Sequence, residues 1–134
     1  MSYSIQPEYW LNPGDMTIGV YAHESGHLFG LPDLYDVDGS SRGVGRWSLM
    51  SGGSWNGSLG SSPAHFDAWS KKFLNFVSPN LIQSALTALQ LPAVENLPTV
   101  FRINTPAAPN TEYFLLENRQ KLKYDSGLPG AGLL

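Results

Sequence analysis

The sequence contains no cysteine. Disulfides, zinc ribbons and thiol nucleophiles are thereby excluded, although an exported bacterial protein need not use disulfides. Charge is also scarce: Asp, Glu, Lys and Arg make up 14% of the 134 residues, with a net charge of −3 and no run of Lys or Arg. That argues against a nucleic-acid groove and against a polybasic membrane surface. No apolar run reaches the length of a membrane span, and no secretory leader is visible at the N-terminus. The stretch from Gly127 to Leu134 begins an apolar run and then stops. This is the expectation for a segment of a longer protein, in which case a missing leader says nothing of export.

What is present suffices for one compact core. There is no internal repeat. Composition changes near Ser78-Pro79-Asn80, giving an expected first part, 1–78, and a β-rich second part, 79–134. The first part holds every histidine and every tryptophan. A helix is expected from about Met16 to Phe29, with Asp15 as N-cap and Ile18, Ala22 and Phe29 making apolar contacts. Gly19 and Gly26 weaken such a helix by roughly 1 kcal/mol each, unless they permit close packing. Gly30 suits the C′ position, and Pro32 forbids continuation. Residues 31–60 read as a long ordered loop, which in a compact domain signals function. A second helix is expected from Ser62-Pro63, with Phe66, Trp69, Phe73 and Phe76 on its apolar face and Lys71 and Lys72 outside it. Strands are expected at Ser84–Leu91, Thr99–Ile103 and Glu112–Arg119, punctuated by Pro92, Pro98, Pro106 and Pro109. The Tyr113–Leu116 run, apolar on both faces, suits a buried strand.

The histidines are few, but two of them form a pattern. In His23-Glu24-Ser25-Gly26-His27 two imidazoles four residues apart share one helix face, about 6 Å apart along the axis. They can reach one zinc ion at about 2.0–2.1 Å each. Glu24 follows the first ligand directly and is placed to act as general base on a metal-bound water. The plain alternative is two ordinary histidines on a helix flank. Gly30 and Asp33 extend the pattern to His-Glu-x-x-His-x-x-Gly-x-x-Asp, in which Asp33 occupies the third-ligand place of long zincin motifs. Carboxylate oxygen is an acceptable zinc ligand. The alternative is a turn residue after Pro32. Downstream, Trp47-Ser-Leu-Met50-Ser-Gly-Gly53 resembles a Met-turn, with Met50 as an apolar floor beneath the ligands.

The strings His23-Glu-Ser-Gly-His-Leu-Phe-Gly-Leu-Pro-Asp-Leu-Tyr-Asp36, Gly45-Arg-Trp-Ser-Leu-Met-Ser-Gly-Gly-Ser-Trp55 and Pro63-Ala-His-Phe-Asp-Ala-Trp-Ser-Lys71 are similar to the M6, immune inhibitor A-type, metallopeptidases of bacteria. Tyr113–Arg119 and Gly127–Gly130 extend the likeness. The resemblance implies a secreted zinc endopeptidase acting on protein or peptide substrates, with an α+β, metzincin-like catalytic part. Metzincin-like folds carry a substrate-binding edge strand upstream of the zinc helix. Only 22 residues precede His23 here, and residues 3–6 are short for that task.

Weaker signals complete the reading. His65 is a rival third ligand, with packing or hydrogen bonding as the plainer role. Asp36-Val-Asp38-Gly39-Ser40 resembles part of a calcium loop but lacks the twelfth-position glutamate, so a simple Asp/Gly turn is favoured over bound Ca2+. Trp47 and Trp55 are candidates for a specificity pocket or for core. Glu117 has no visible partner. The expected site is therefore His23, His27 and Asp33 on Zn2+ with Glu24 as base. The rival readings are a zinc-holding but catalytically incomplete binding module, and a zinc hydrolase acting on another bond. Nothing in the sequence sets an oligomeric state.

Overall fold

The computed structural model describes residues 3–108 and 111–134; Pro109, expected as a break, lies outside them. The described residues form a mixed helix-and-strand, α+β fold. Two compact units are formed: residues 1–67 with 121–129, and residues 68–120 with 130–134. No helix is long and apolar enough to cross a membrane.

The first unit is built around helix α1, Ile18–Leu28. Its start differs from expectation. The N-cap is Thr17, which makes no side-chain cap bond. Asp15 instead accepts the backbone N–H groups of Trp10, Leu11 and Asn12 at 2.6, 2.7 and 2.8 Å, closing the preceding turn. The buried stripe of α1 is Gly19, His23 and Gly26, whereas Ile18 and Phe29 are exposed. Small residues do the packing. A Cβ at Gly19 would strike the Ser54 carbonyl oxygen, and one at Gly26 would strike the Met50 sulfur. The helix end is as the sequence suggests. Gly30 has φ +90°, its N–H donates to His27 O at 2.9 Å, and Leu31 N–H donates to Gly26 O at 3.1 Å. That pair of bonds is a Schellman motif, which only a residue tolerant of positive φ accommodates without strain.

Residues 31–60 are irregular apart from 3-10 turns at Gly45–Trp47 and Gly52–Trp55. Leu31, Leu49, Met50, Ala64 and Leu128 are buried in this unit. No helix begins at Ser62. Its hydroxyl donates to Tyr124 O at 2.5 Å, and the two hydroxyls of Ser62 and Ser126 lie 2.8 Å apart. The His65 N–H donates to the buried carboxylate of Asp125 at 2.8 Å, and His65 O accepts from Leu49 N–H at 3.1 Å. These long-range bonds direct residues 62–65 toward residues 124–126 and Leu49 instead of into a helical turn. The segment around Asp125 thus clasps residues 56–65; Gly127 lies so close to Ser62 O and Asn56 that a Cβ would collide with both.

The second unit starts with helix α2, Ala68–Phe73. It ends in a Schellman motif with Asn75 at φ 57°, through Asn75 N–H to Lys72 O at 3.1 Å and Phe76 N–H to Lys71 O at 2.9 Å. The expected apolar face is reversed: Trp69, Phe73 and Phe76 are exposed while Lys71 is buried. The reason is Glu117, whose Oε2 lies 2.5 Å from Lys71 Nζ and whose Oε1 accepts from Arg119 at 3.1 Å. Glu95 adds a contact of 3.6 Å to Arg119. Burial of Lys71 is tolerable because its charge is paired there.

Strands β1 (Asn80–Ile82), β2 (Phe101–Asn104) and β3 (Tyr113–Leu116) form a sheet in that order. β1 and β2 are parallel, with Leu81 opposite Arg102; β2 and β3 are antiparallel, with Arg102 opposite Leu115. Leu115 packs on Ala68, Val77 and Val100, the small core of this unit. The expected strand at Ser84–Leu91 does not form: Leu86 and Leu89 are exposed, and Ala88 has φ 54°, which breaks an extended run. The expected Glu112–Arg119 strand divides into β3 and β4 (Asn118–Arg119), which pairs with β5 (Gly132–Leu133). Nor is β3 buried on both faces, since Phe114 points outward at 66% exposure.

Candidate metal centre

Three acceptor groups of the first unit converge on one point. His23 Nε2 lies 3.1 Å and His27 Nε2 3.3 Å from Asp33 Oδ1. Two of them come from α1 by helix periodicity. The third arrives because the Schellman turn at Gly30 folds the chain back, and because Leu34 N–H donates to Met50 O at 2.7 Å.

The opposite edge of each imidazole is fixed. His23 Nδ1 lies 2.8 Å from Leu49 O and His27 Nδ1 2.8 Å from Leu31 O. A carbonyl can only accept, so each Nδ1 carries the proton and donates it. In a neutral ring Nε2 then presents a lone pair. The contacts to Asp33 would be ion pairs only for protonated rings; for neutral rings Asp33 Oδ1 is buried with no hydrogen-bond donor. Two imidazole lone pairs and a carboxylate oxygen facing one another repel, unless a cation lies among them. The donor atoms lie within 4.8 Å of one another, and two nitrogens with one oxygen suit zinc. The residues thus fit a bound divalent metal. Carbonyl partners on Nδ1 are the outer contacts that orient histidine ligands.

Met50 lies beneath this group. It is fully buried, with its sulfur against Gly26. The segment 49–50 thus meets the elements that carry the cluster three times: Leu49 O on His23, the Met50 side chain against Gly26 of α1, and Met50 O on Leu34 N–H, next to Asp33. His65 does not join the group that the described residues form, its main chain being tied to Asp125 and Leu49.

Glu24 borders two cavities. One, of 510 Å³, is lined by Glu24, His27 and Leu28 on α1 and by Tyr3, Ser4 and Ile5. The other, of 370 Å³, has His23, Glu24 and Tyr35 at one end and Val20 and Trp55 as walls. Tyr35 carries no signal in sequence. Its hydroxyl is held above the ordinary tyrosine range, chiefly by hydrogen bonding to the Asp33 carboxylate, then by desolvation and the charges of Asp33 and Glu24. Trp47 is not among the walls of either cavity.

The Asp36 loop is closed by protein donors. The Ser40 hydroxyl and the N–H groups of Asp38 and Ser41 hold the Asp36 carboxyl far below its usual range. Asp38 accepts the Ser40 N–H at 2.9 Å. This is a self-satisfied Asx turn, and nothing in it calls for calcium.

A helix-borne His-Glu-x-x-His pair closed by a third oxygen donor is the donor set of a metallopeptidase centre. Comparison with known proteins gives the same class. Residues 3–78, more than half of the chain, match the family described as immune inhibitor A peptidase M6, catalytic domain. The chain is 39% identical over 108 residues to the pre-pro-metalloprotease PrtV of Vibrio cholerae serotype O1, covering 77% of this chain and 12% of that protein. It is 45% identical over 69 residues to immune inhibitor A of Bacillus thuringiensis subsp. alesti, covering 49% of this chain and 10% of that protein. The chain belongs to the M6, immune inhibitor A, family of metallopeptidases. It spans about an eighth or less of the length of these curated relatives.

Proposed function

We propose that this chain carries the zinc centre of a metzincin-like endopeptidase, with His23, His27 and Asp33 as ligands and Glu24 as general base. The observation that supports it most is the convergence of both Nε2 atoms on Asp33 Oδ1 while both Nδ1 atoms are held by carbonyls. A zinc ion bound there supplies Lewis-acid polarisation of a carbonyl and lowers the pKa of water. Glu24 lies on the same helix one residue past His23 and lines both cavities, which supports its role as the base. It takes the proton of the attacking water and returns it to the leaving amine. Leu49 O and Leu31 O hold the two imidazoles in one tautomer, and the Met50 sulfur packs against the helix at Gly26. The substrates are proteins or peptides, and export from the cell follows from the family resemblance. The test is metal content and peptide turnover of Glu24→Gln in the longer protein: metal retained and turnover lost is the expected result, and loss of metal with the fold intact overturns the assignment.

A second reading, a zinc-holding module that is catalytically incomplete by itself, is favoured by one observation. Tyr3, Ser4 and Ile5 line the cavity beside Glu24 and His27 but belong to no strand among the described residues. An edge strand is the usual means of gripping an extended peptide. Comparing this chain with one extended upstream, on a quenched peptide substrate, separates the two readings; equal turnover removes the second.

A further inference from the structure

The two imidazoles of the metal centre are oriented by different means. Leu31 O, which holds His27 Nδ1, lies four residues on, in the turn that the bonds around Gly30 close. Leu49 O, which holds His23 Nδ1, comes from 26 positions away in sequence and owes its place to groups outside the helix. Leu49 N–H donates to His65 O at 3.1 Å, and His65 N–H donates to Asp125 Oδ1 at 2.8 Å. Three bonds thus run in series from the Asp125 carboxylate, through the main chain of His65 and Leu49, to the His23 ring. All four residues belong to the first unit.

The far end of this series is built as an anchor. Asp125 is fully buried, and a carboxylate leaves water at tolerable cost only where hydrogen bonds replace it. Its own segment is held on both sides. The Ser62 hydroxyl donates to Tyr124 O, Gly127 N–H donates to Ser62 Oγ at 3.2 Å, and Leu128 N–H donates to Asp125 O at 3.0 Å. In the middle of the series, Ala64 N–H donates to Gly53 O at 2.9 Å. Residues 64 and 65 therefore grip the 49–53 segment at both of its ends. His65 and Leu49 each donate toward Asp125 and accept from the side of the metal centre, so neither bond competes with the next.

We propose that Asp125 is a positioning residue for the metal centre: by fixing His65, and through it Leu49 O, it sets the orientation of the His23 ring toward the ion. It touches neither ion nor substrate. The proposal rests on the zinc reading for the ion, and on the three hydrogen bonds for the positioning. The test uses this chain with 15N-labelled histidine. Zinc affinity is read by chelator competition, and the resonance and solvent exchange of each imidazole Nδ1–H by NMR, with and without zinc. Asp125→Ala leaves the buried His65 N–H without this acceptor. It should weaken zinc binding by about 10–100-fold, the usual effect of losing an outer contact of a ligand, and should speed exchange at His23 while His27 stays protected. Asp125→Asn keeps an oxygen for His65 and should restore both. Ser62→Ala loosens the same clasp without touching the series, so it should lower the thermal midpoint yet leave zinc affinity and His23 exchange unchanged. An equal loss of affinity in Ser62→Ala overturns the proposal by reducing Asp125 to a structural role. Unchanged His23 exchange in a folded Asp125→Ala overturns it as well. Where Asp125→Ala does not fold, Asp125→Asn decides: its weaker, neutral acceptor should shift the His23 Nδ1–H resonance and not that of His27, and equal or absent shifts overturn the proposal. A chain that binds no zinc, but in which His23 exchange still follows Asp125, overturns the zinc reading and leaves the positioning standing.

Discussion

The two units bury polar groups in opposite ways. In the second, Lys71, Glu117, Arg119 and Glu95 close on one another, cation to anion, within 2.5–3.6 Å. In the first, His23, His27 and Asp33 turn acceptors toward acceptors, with Asp33 Oδ1 buried and without a donor. A buried charge network that satisfies itself is architecture. A half-buried cluster whose acceptors face one another fits a cation, and carbonyl contacts on the far edge of each imidazole hold the rings in place.

Perturbing each side in turn sharpens this contrast. The largest effect is expected on the open side: Glu24→Gln should lower turnover of the longer protein by about 10²–10⁴-fold or more, with metal content by atomic absorption unchanged. Next is the closed side. Glu117→Ala removes the carboxylate that Lys71 and Arg119 share and should destabilise the fold by about 3–5 kcal/mol in denaturant titration. A loss below about 1 kcal/mol would mean that these charges are not the buried network described. Asp33→Ala should weaken metal binding, read by chelator competition, by more than the roughly 10–100-fold typical of losing an outer-sphere partner. His65→Ala should not; if it does so instead, the third donor is misassigned. The smallest effect is expected at the floor. Met50→Leu conserves volume and should cost under about 1.5 kcal/mol, with the metal retained.

Local chemistry was legible in the sequence and long-range chemistry was not. His23, Glu24 and His27 are fixed by helix periodicity alone, and Gly30 announces the turn that carries Asp33 back. The start of α2 was misplaced because Ser62-Pro63 has the composition of a helix start, while the Ser62 hydroxyl is engaged by residues 124 and 126. Lys71 reads as solvated until Glu117, 46 positions away in sequence, comes to meet it. The strand expected at 84–91 has alternating apolar residues but no neighbour to pair with, and β-propensity reports a fit to neighbours rather than an intrinsic preference. Tyr35 follows from the same limit: its place depends on loop contacts, such as that of Gly43 with Leu34 O and the Tyr35 main chain, that no local pattern encodes.

The clasp formed by residues 121–129 bears on the order of events at the ribosome. Chains are made from the N-terminus, and domains usually fold as they emerge. Here the carboxylate that holds His65 and the buried Leu128 belong to the unit that is started first, yet they appear only after the whole of residues 68–120 has been made. Closure of such distant contacts carries a loop-entropy cost and is slow. The helix with the histidines is therefore synthesised well before its unit can be fastened, and each unit waits on residues beyond 120: the first on 121–129, the second on 130–134.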